Sequence, residues 1–233
     1  MRVRYSLPRH ALTLLVGASA SITQAYSQVV WINEFHYDNS GSDLGEFVEV
    51  AVPQSWTDLA GTRLTLYNGG DGKPYGTSHP LSSFTQGETS GGLTFFSKVI
   101  PGLQNGAPDG LALDHQGTLQ HFVSYEGSFT AQSGPASGHT SAALPGSVLE
   151  SEASPAAGSL GLYGSGSTLA DFTWTAYAVA TPGLRNPDQV AVPEPHEYAL
   201  AVSAGLALFA TVRRRSRPGQ TPTCLRSVHT QRS

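Results

Sequence analysis

Between positions 29 and 177, aliphatic, β-branched and aromatic residues arrive in short runs, each closed by Gly, Pro, Ser or Asp. Runs this short do not complete the turns a packed helix needs, but they do cross a sheet. The reading gives strands at 29–37 (VVWINEFHY), 46–52 (EFVEVAV, closed by Pro53), 63–67 (RLTLY), 93–99, 110–113, 119–125, 159–163 and 172–176. In RLTLY, strand alternation sets Leu64 and Leu66 on one face and Arg63, Thr65 and Tyr67 on the other. The following Asn68-Gly69-Gly70-Asp71-Gly72 reads as a tight turn, because Gly and Asn tolerate positive φ. Residues 128–157, rich in Ser, Gly, Ala and Pro, read mainly as loop, and Pro182 and Pro187 mark 179–192 as a linker. Eight such strands with turn signals between them predict an all-β, antiparallel β-sandwich.

Both ends of the 233-residue chain have the character of targeting segments. The first ten residues carry Arg2, Arg4 and Arg9 without an acid, and a short apolar stretch of small residues follows. Thr23-Gln24-Ala25 then offers small residues where a signal peptidase cuts, after Ala25, with Ala18-Ser19-Ala20 as a second choice. Removing both ends leaves a body of about 165 residues, enough for one core. The expected organisation is a signal peptide at 1–25, a sandwich domain at 26–187, a C-terminal segment at 188–217 and a disordered basic tail at 218–233.

Charge separates body from ends. From Tyr26 to Pro195 there are four cations, Arg63, Lys73, Lys98 and Arg185, against sixteen acids, a net of −12. The chain's overall −4 conceals this, because nine of its thirteen Lys and Arg lie in the terminal segments. No basic patch exists in the body to neutralise phosphates, so nucleic acid is not an expected partner. The single cysteine, Cys224, lies beyond the last arginine cluster, so the body holds no thiol and no disulfide.

The C-terminal segment has three parts in a fixed order. Val192-Pro193-Glu194-Pro195 stays extended, because proline supports neither helix interior nor sheet ladder. Residues 198–212 form an uncharged apolar run, and Arg213, Arg214, Arg215 and Arg217 follow it. Fifteen residues make a helix of about 22 Å, short for a bilayer core, and snorkelling arginines extend its reach. This arrangement resembles the PEP-CTERM sorting signal of Gram-negative bacteria. That resemblance implies recognition and processing by an exosortase, one transmembrane helix held with its arginines inside, and final residence at the cell surface or outside it.

The body carries a second resemblance. INEFHYDNSGSDLGEFVEVAVP (32–53), DLAGTRLTLYNGG (58–70), FVSYEGSFTAQSGPASG (122–138) and the late DFTWT…TPGLRN blocks (171–186) are together similar to a bacterial lamin-tail domain. The family implies an immunoglobulin-like β-sandwich serving as an accessory module, found on surface proteins or attached to secreted nucleases.

Motifs for chemistry are sparse. The body has no HExxH pair, P-loop or G-x-S-x-G elbow, and Gly164-Ser165-Gly166-Ser167 reads as a flexible turn. No spacing selects a carboxylate pair for glycoside chemistry, so no catalytic residue and no enzyme activity are assigned. His36, His79, His115, His121 and His139 read as surface or loop residues, with His36 near enough in sequence to reach Asp38 or Asp43. Trp31 and Trp174 read as core, whereas Trp56 precedes a turn and is the better candidate for exposure to a sugar ring. The most suggestive polar cluster joins Asp38, Asn39, Ser40, Ser42, Asp43, Glu46 and Glu49. It reads first as a hydrogen-bonded turn with solvated carboxylates, and second as a calcium site, with Asp38, Asp43 and Glu46 as weak ligand candidates.

These features together predict a non-catalytic exported protein of the cell surface or matrix, with signal peptidase, exosortase and the membrane as partners and exopolysaccharide as its surroundings. Two alternatives stand beside it, a module that recruits a secreted nuclease or other hydrolase, and a calcium-dependent binding module.

Overall fold

The structure is a computed structural model and describes residues 29–192. The expected signal peptide with Ala25, the Pro193-Glu194-Pro195 motif, the apolar run, Arg213, Arg214, Arg215, Arg217 and the tail lie outside the described residues. Among the described residues no helix is long and apolar enough to cross a membrane.

The described chain is all-β, in two sheets. The seven-stranded sheet contains β1 (Trp31–His36), β2 (Phe47–Pro53), β5 (Thr85–Ser90), β6 (Leu93–Val99), β10 (Ser159–Gly166), β11 (Phe172–Tyr177) and β12 (Gln189–Ala191). Its order is β11-β10-β1-β2-β6-β5, with β12 also on β10. The five-stranded sheet runs β4 (Lys73–Pro80), β3 (Thr62–Asn68), β7 (Asp109–His115), β8 (Thr118–Tyr125) and β9 (Ala142–Ala143). All eight expected strands are present. The sheets are mixed, however, because β12 runs parallel to β10 and β9 parallel to β8.

The two sheets close on one another through alternating side chains. Ile32, Phe35, Val48, Val50, Phe96 and Leu160 from the larger sheet meet Leu64, Leu66, Leu111, Leu113 and Val123 from the smaller in one buried cluster. Each such aliphatic or aromatic side chain contributes about 1.5–3 kcal/mol when fully buried. The other face of the larger sheet is also buried, by Trp31, Ala51, Phe95, Leu162 and Phe172. On the smaller sheet, the outward Tyr67 packs with Phe122 and with Phe129, Ala131 and Ala136 of the 128–157 segment. That segment is mostly loop, as expected, but it serves as a lid on the sheet.

The linker expectation for 179–192 is corrected. Residues 181–191 form a strap that lies against β1, β2, β5 and β10. Leu160 and Gly164 of β10 pair with β11, and Gly164 also pairs with Gln189, so β12 occupies the opposite side of β10, in line with β1. Gly87 makes the close approach possible, since a Cβ there would stand 2.0 Å from the carbonyl oxygen of Gly183. Gly91 does the same for Ala191, at 2.3 Å.

Candidate functional site

Two groups of acids grow from the β1–β2 hairpin. A register shift between Ile32 and Glu34 in β1 is the local cause of the first. It leaves Ile32 and Phe35 in the main core and turns the neighbouring Asn33 and Glu34 both towards the strap. Glu34 pairs directly across from Glu49, and both are fully buried. Glu34 accepts from Ser159 Oγ (2.5 Å), Thr181 N–H (2.9 Å) and Thr181 Oγ1 (3.1 Å). Glu49 accepts from Asn33 Nδ2 (2.9 Å) and Gly183 N–H (2.5 Å). Gln189 exchanges two hydrogen bonds with the Asn33 amide, at 2.7 and 3.2 Å. Burial raises the pKa of Glu34, against these donors, and burial with the adjacent Glu34 charge pushes Glu49 well above the usual carboxylate range. The strap is therefore held by two buried acids whose four oxygens all have a role in binding it or its support.

The second group stands at the end of β1 and contains the candidates Asp38, Asp43 and Glu46. His36 fixes the loop there. Its Nδ1 faces Glu150 Oε1 at 2.7 Å and its Nε2 faces Asn39 Oδ1 at 3.1 Å. Asn39 Oδ1 also accepts from Leu44 N–H (2.9 Å), and Asn39 Nδ2 donates to the carbonyls of Ser40 and Ser42. Both imidazole nitrogens thus face side-chain oxygens, an arrangement that favours the doubly protonated, charged ring. Burial opposes that charge, but the hydrogen bond and charge of Glu150 outweigh it and raise the His36 pKa. Glu150 further accepts from the backbone N–H of Tyr37 (2.7 Å) and Asp38 (3.3 Å). Tyr37 stacks on Tyr125 with centroids 3.9 Å apart, a contact worth about 0.5–1.5 kcal/mol beyond its burial.

A second loop meets the first. Gly102 N–H donates to Glu46 Oε2 at 2.6 Å, Ile100 N–H to the Glu46 carbonyl at 3.0 Å, and Asn105 Nδ2 to Asp43 Oδ2 at 3.4 Å. Three buried side-chain oxygens among the described residues have no hydrogen-bond partner: Asp38 Oδ1, Glu46 Oε1 and Gln104 Oε1. All three lie on these two loops. Burial first, then the charges of Asp43 and Glu152, raise the Asp38 pKa. Burial also raises Glu46, assisted by Asp43 and opposed by the Gly102 bond.

The expectation of solvated carboxylates is thus corrected for Asp38 (7% exposed), Glu46 (5%) and Glu49, whereas Asp43 is exposed. Glu49 belongs to the strap and does not join the other three. No group of three or more His, Cys, Asp or Glu among the described residues is placed to hold a metal ion. The histidine expectation is corrected as well. Besides His36, His121 is buried, and its Nδ1 accepts the Ile32 N–H at 3.1 Å. Burial lowers its pKa to about 4, so it is neutral. Trp56 is half-buried, donates to Thr62 Oγ1 and packs edge-on to His115. Val192 is the last described residue and is 44% exposed, with its N–H bonded to the Gly166 carbonyl. The acids at 34 and 49 were detectable, because each interrupts an apolar strand run, WINEFH and FVEVAV, where a charge needs internal partners.

No family model, curated protein or solved structure matches this chain.

Proposed function

We propose that this chain is an exported, non-catalytic protein of the cell surface or extracellular matrix, handed to an exosortase by its C-terminal segment. The observation that carries this reading is the order of that segment: Val192-Pro193-Glu194-Pro195, the apolar run 198–212, then Arg213, Arg214, Arg215 and Arg217. The arginines before the first apolar stretch and after the last belong on the same inner side, which assigns the acidic, cysteine-free body to the outside. The body is a lamin-tail-like module of immunoglobulin-like type in this reading, and exopolysaccharide is its setting.

Two features of the folded body support the reading. Its buried acids Glu34, Glu49 and Glu150 direct oxygens to backbone amides and internal side chains, which is the pattern of structural rather than reacting groups. Val192 emerges at the surface from the edge strand β12, so the motif that continues from it in sequence departs from an accessible point. The decisive experiment is mass spectrometry of the mature C-terminus in cells with and without an active exosortase. Processing near Pro195 that depends on the enzyme is the expected result. An intact arginine tail in both strains refutes sorting and leaves a plain anchor.

A further inference from the structure

The outer face of the smaller sheet is covered only in part. The lid shields Tyr67 and Phe122, but beside Pro135 a cleft of about 530 Å³ opens over β4, β3 and β7. Alternation along β3 sends Arg63 and Thr65 to this face, where they meet Ser78 of β4 and Asp114 of β7. Hydrogen bonds fix the floor. Arg63 Nε donates to Ser78 Oγ (3.1 Å), Arg63 Nη2 to the Ser78 carbonyl (3.3 Å), and Thr65 Oγ1 to Ser78 Oγ (3.3 Å).

Two charged groups on the floor keep capacity for a further partner. Among the described residues Arg63 Nη1 meets no acceptor, since the guanidinium bonds run from Nε and Nη2. Asp114 is only 4% exposed, yet its carboxylate takes a single hydrogen bond, from Gly117 N–H to Oδ1 at 2.8 Å. Arg63 and Asp114 stand opposite each other across β3 and β7, but no ion pair joins them. Burial raises the Asp114 pKa, and the Gly117 bond and the charges of Arg63 and His115 offset this only in part.

The walls are apolar and fixed from behind. Pro74 and Tyr75 line one side, and Pro135 stands at the lid end. Tyr75 Oη accepts the Gln104 N–H at 2.9 Å. Tyr67 Oη donates to the Ser133 carbonyl and accepts from Ala136 N–H, which pins the lid on either side of Pro135. One cation and one anion leave the floor without net charge, and a body of net −12 repels polyanions. A fitting ligand offers an acceptor to Arg63 and a donor to Asp114 from one edge, because opposed cross-strand side chains start about 5 Å apart. Adjacent hydroxyls of a sugar ring do this, each being donor and acceptor. The volume lies within the range of small-molecule sites, about 300–1,000 Å³, and the open side lets a longer chain continue past it.

We propose that this cleft binds a neutral saccharide, with Arg63 and Asp114 engaging adjacent hydroxyls and Pro74, Tyr75 and Pro135 packing on the C–H face of the ring. That an exopolysaccharide supplies the glycan rests on the export reading above, whereas the chemistry of the site does not.

The test is isothermal calorimetry of the purified full-length chain with neutral tetrasaccharides of glucose, galactose and mannose. A uronic-acid tetrasaccharide and free alanine, a zwitterion that also matches one cation and one anion, serve as competitors. At least one neutral tetrasaccharide binds, and more tightly than either competitor. Arg63→Met weakens it about tenfold by removing a charged donor. Asp114→Asn keeps an oxygen for the Gly117 N–H and weakens binding several-fold, as a charge-assisted bond becomes a neutral one. Tyr163→Ser, at an exposed position on the other sheet, leaves binding unchanged. Thermal melts establish which variants are folded. Failure of every neutral tetrasaccharide to bind overturns the proposal, as does tighter binding of the uronic-acid oligomer or alanine. Unchanged affinity in a folded Arg63→Met or Asp114→Asn also overturns it. Purified chain and defined sugars involve no exosortase, so this result and the processing result fail independently.

Discussion

Two pairs of acids leave the same hairpin and meet opposite fates. Glu34 and Glu49 lie side by side under the strap, and every oxygen they present inward is met by an amide, a hydroxyl or a carboxamide. Asp38 and Glu46, a few residues along, are buried almost as deeply, but each keeps one side-chain oxygen without a hydrogen-bond partner among the described residues. Burial alone does not tell how fully an acid is satisfied. The difference lies in whether the fold provides enough donors, because a buried carboxylate with a full complement is a cross-link and one without bears an uncompensated desolvation cost.

The contrast is broken most severely at Glu49. Glu49→Leu deprives Asn33 and Gly183 of their acceptor and detaches the strap, at a cost of about 2–6 kcal/mol from about 1–3 for each buried donor left unsatisfied, read as a lower urea midpoint. Gly87→Ala attacks the same strap from the opposite side by forcing a methyl against the Gly183 carbonyl. A loss of about 1–3 kcal/mol is expected, and hydrogen exchange of the Glu88 amide, which bonds that carbonyl, should accelerate first.

Acidity sharpens the comparison. Glu34 and Glu49 have raised folded pKa values, so their contribution to stability is full below the ordinary carboxylate value and is lost as pH rises through the folded one. His121 opposes them. Its contribution is complete above its ordinary 6.5 and is lost as pH falls towards about 4. Glu49→Gln removes one side of this balance, so the variant should lose more stability than the parent between pH 7 and 5, measured by denaturant titration at each pH. The smallest effect is expected from Ser159→Ala, which removes one of three donors to Glu34 and should cost about 1 kcal/mol without changing the strap's exchange pattern.

The strands that sequence reveals are those with an apolar face. RLTLY and FVEVAV announce themselves, whereas β4 (KPYGTSHP) and β5 (TQGETS) are polar, largely exposed edge strands held by backbone pairing, and nothing in their side chains marks them. The strap escaped for a related reason. Pro182 and Pro187 read as linker punctuation, yet the residues between them dock through backbone amides, which carry no sequence signature. At the end of β1, the residue types at 38, 43 and 46 were legible, but Asn105 reaches Asp43 from a loop 62 positions away in sequence. The role of His36 depends on Glu150, 114 positions away, and no local pattern records that distance.

The strap also sets how the body yields to a pull on its C-terminal side. Tension entering at Val192 meets the Gly166 carbonyl first, then Gln189 on Asn33, then Asn186 on the Leu162 carbonyl, then Gly183 on Glu49, and finally Thr181 on Glu34. These attachments follow one another along the chain, and the outermost of them, with the β12–β10 ladder, already belongs to the larger sheet. A pull on that end is therefore expected to reach the larger sheet through β12 before it reaches the two buried acids.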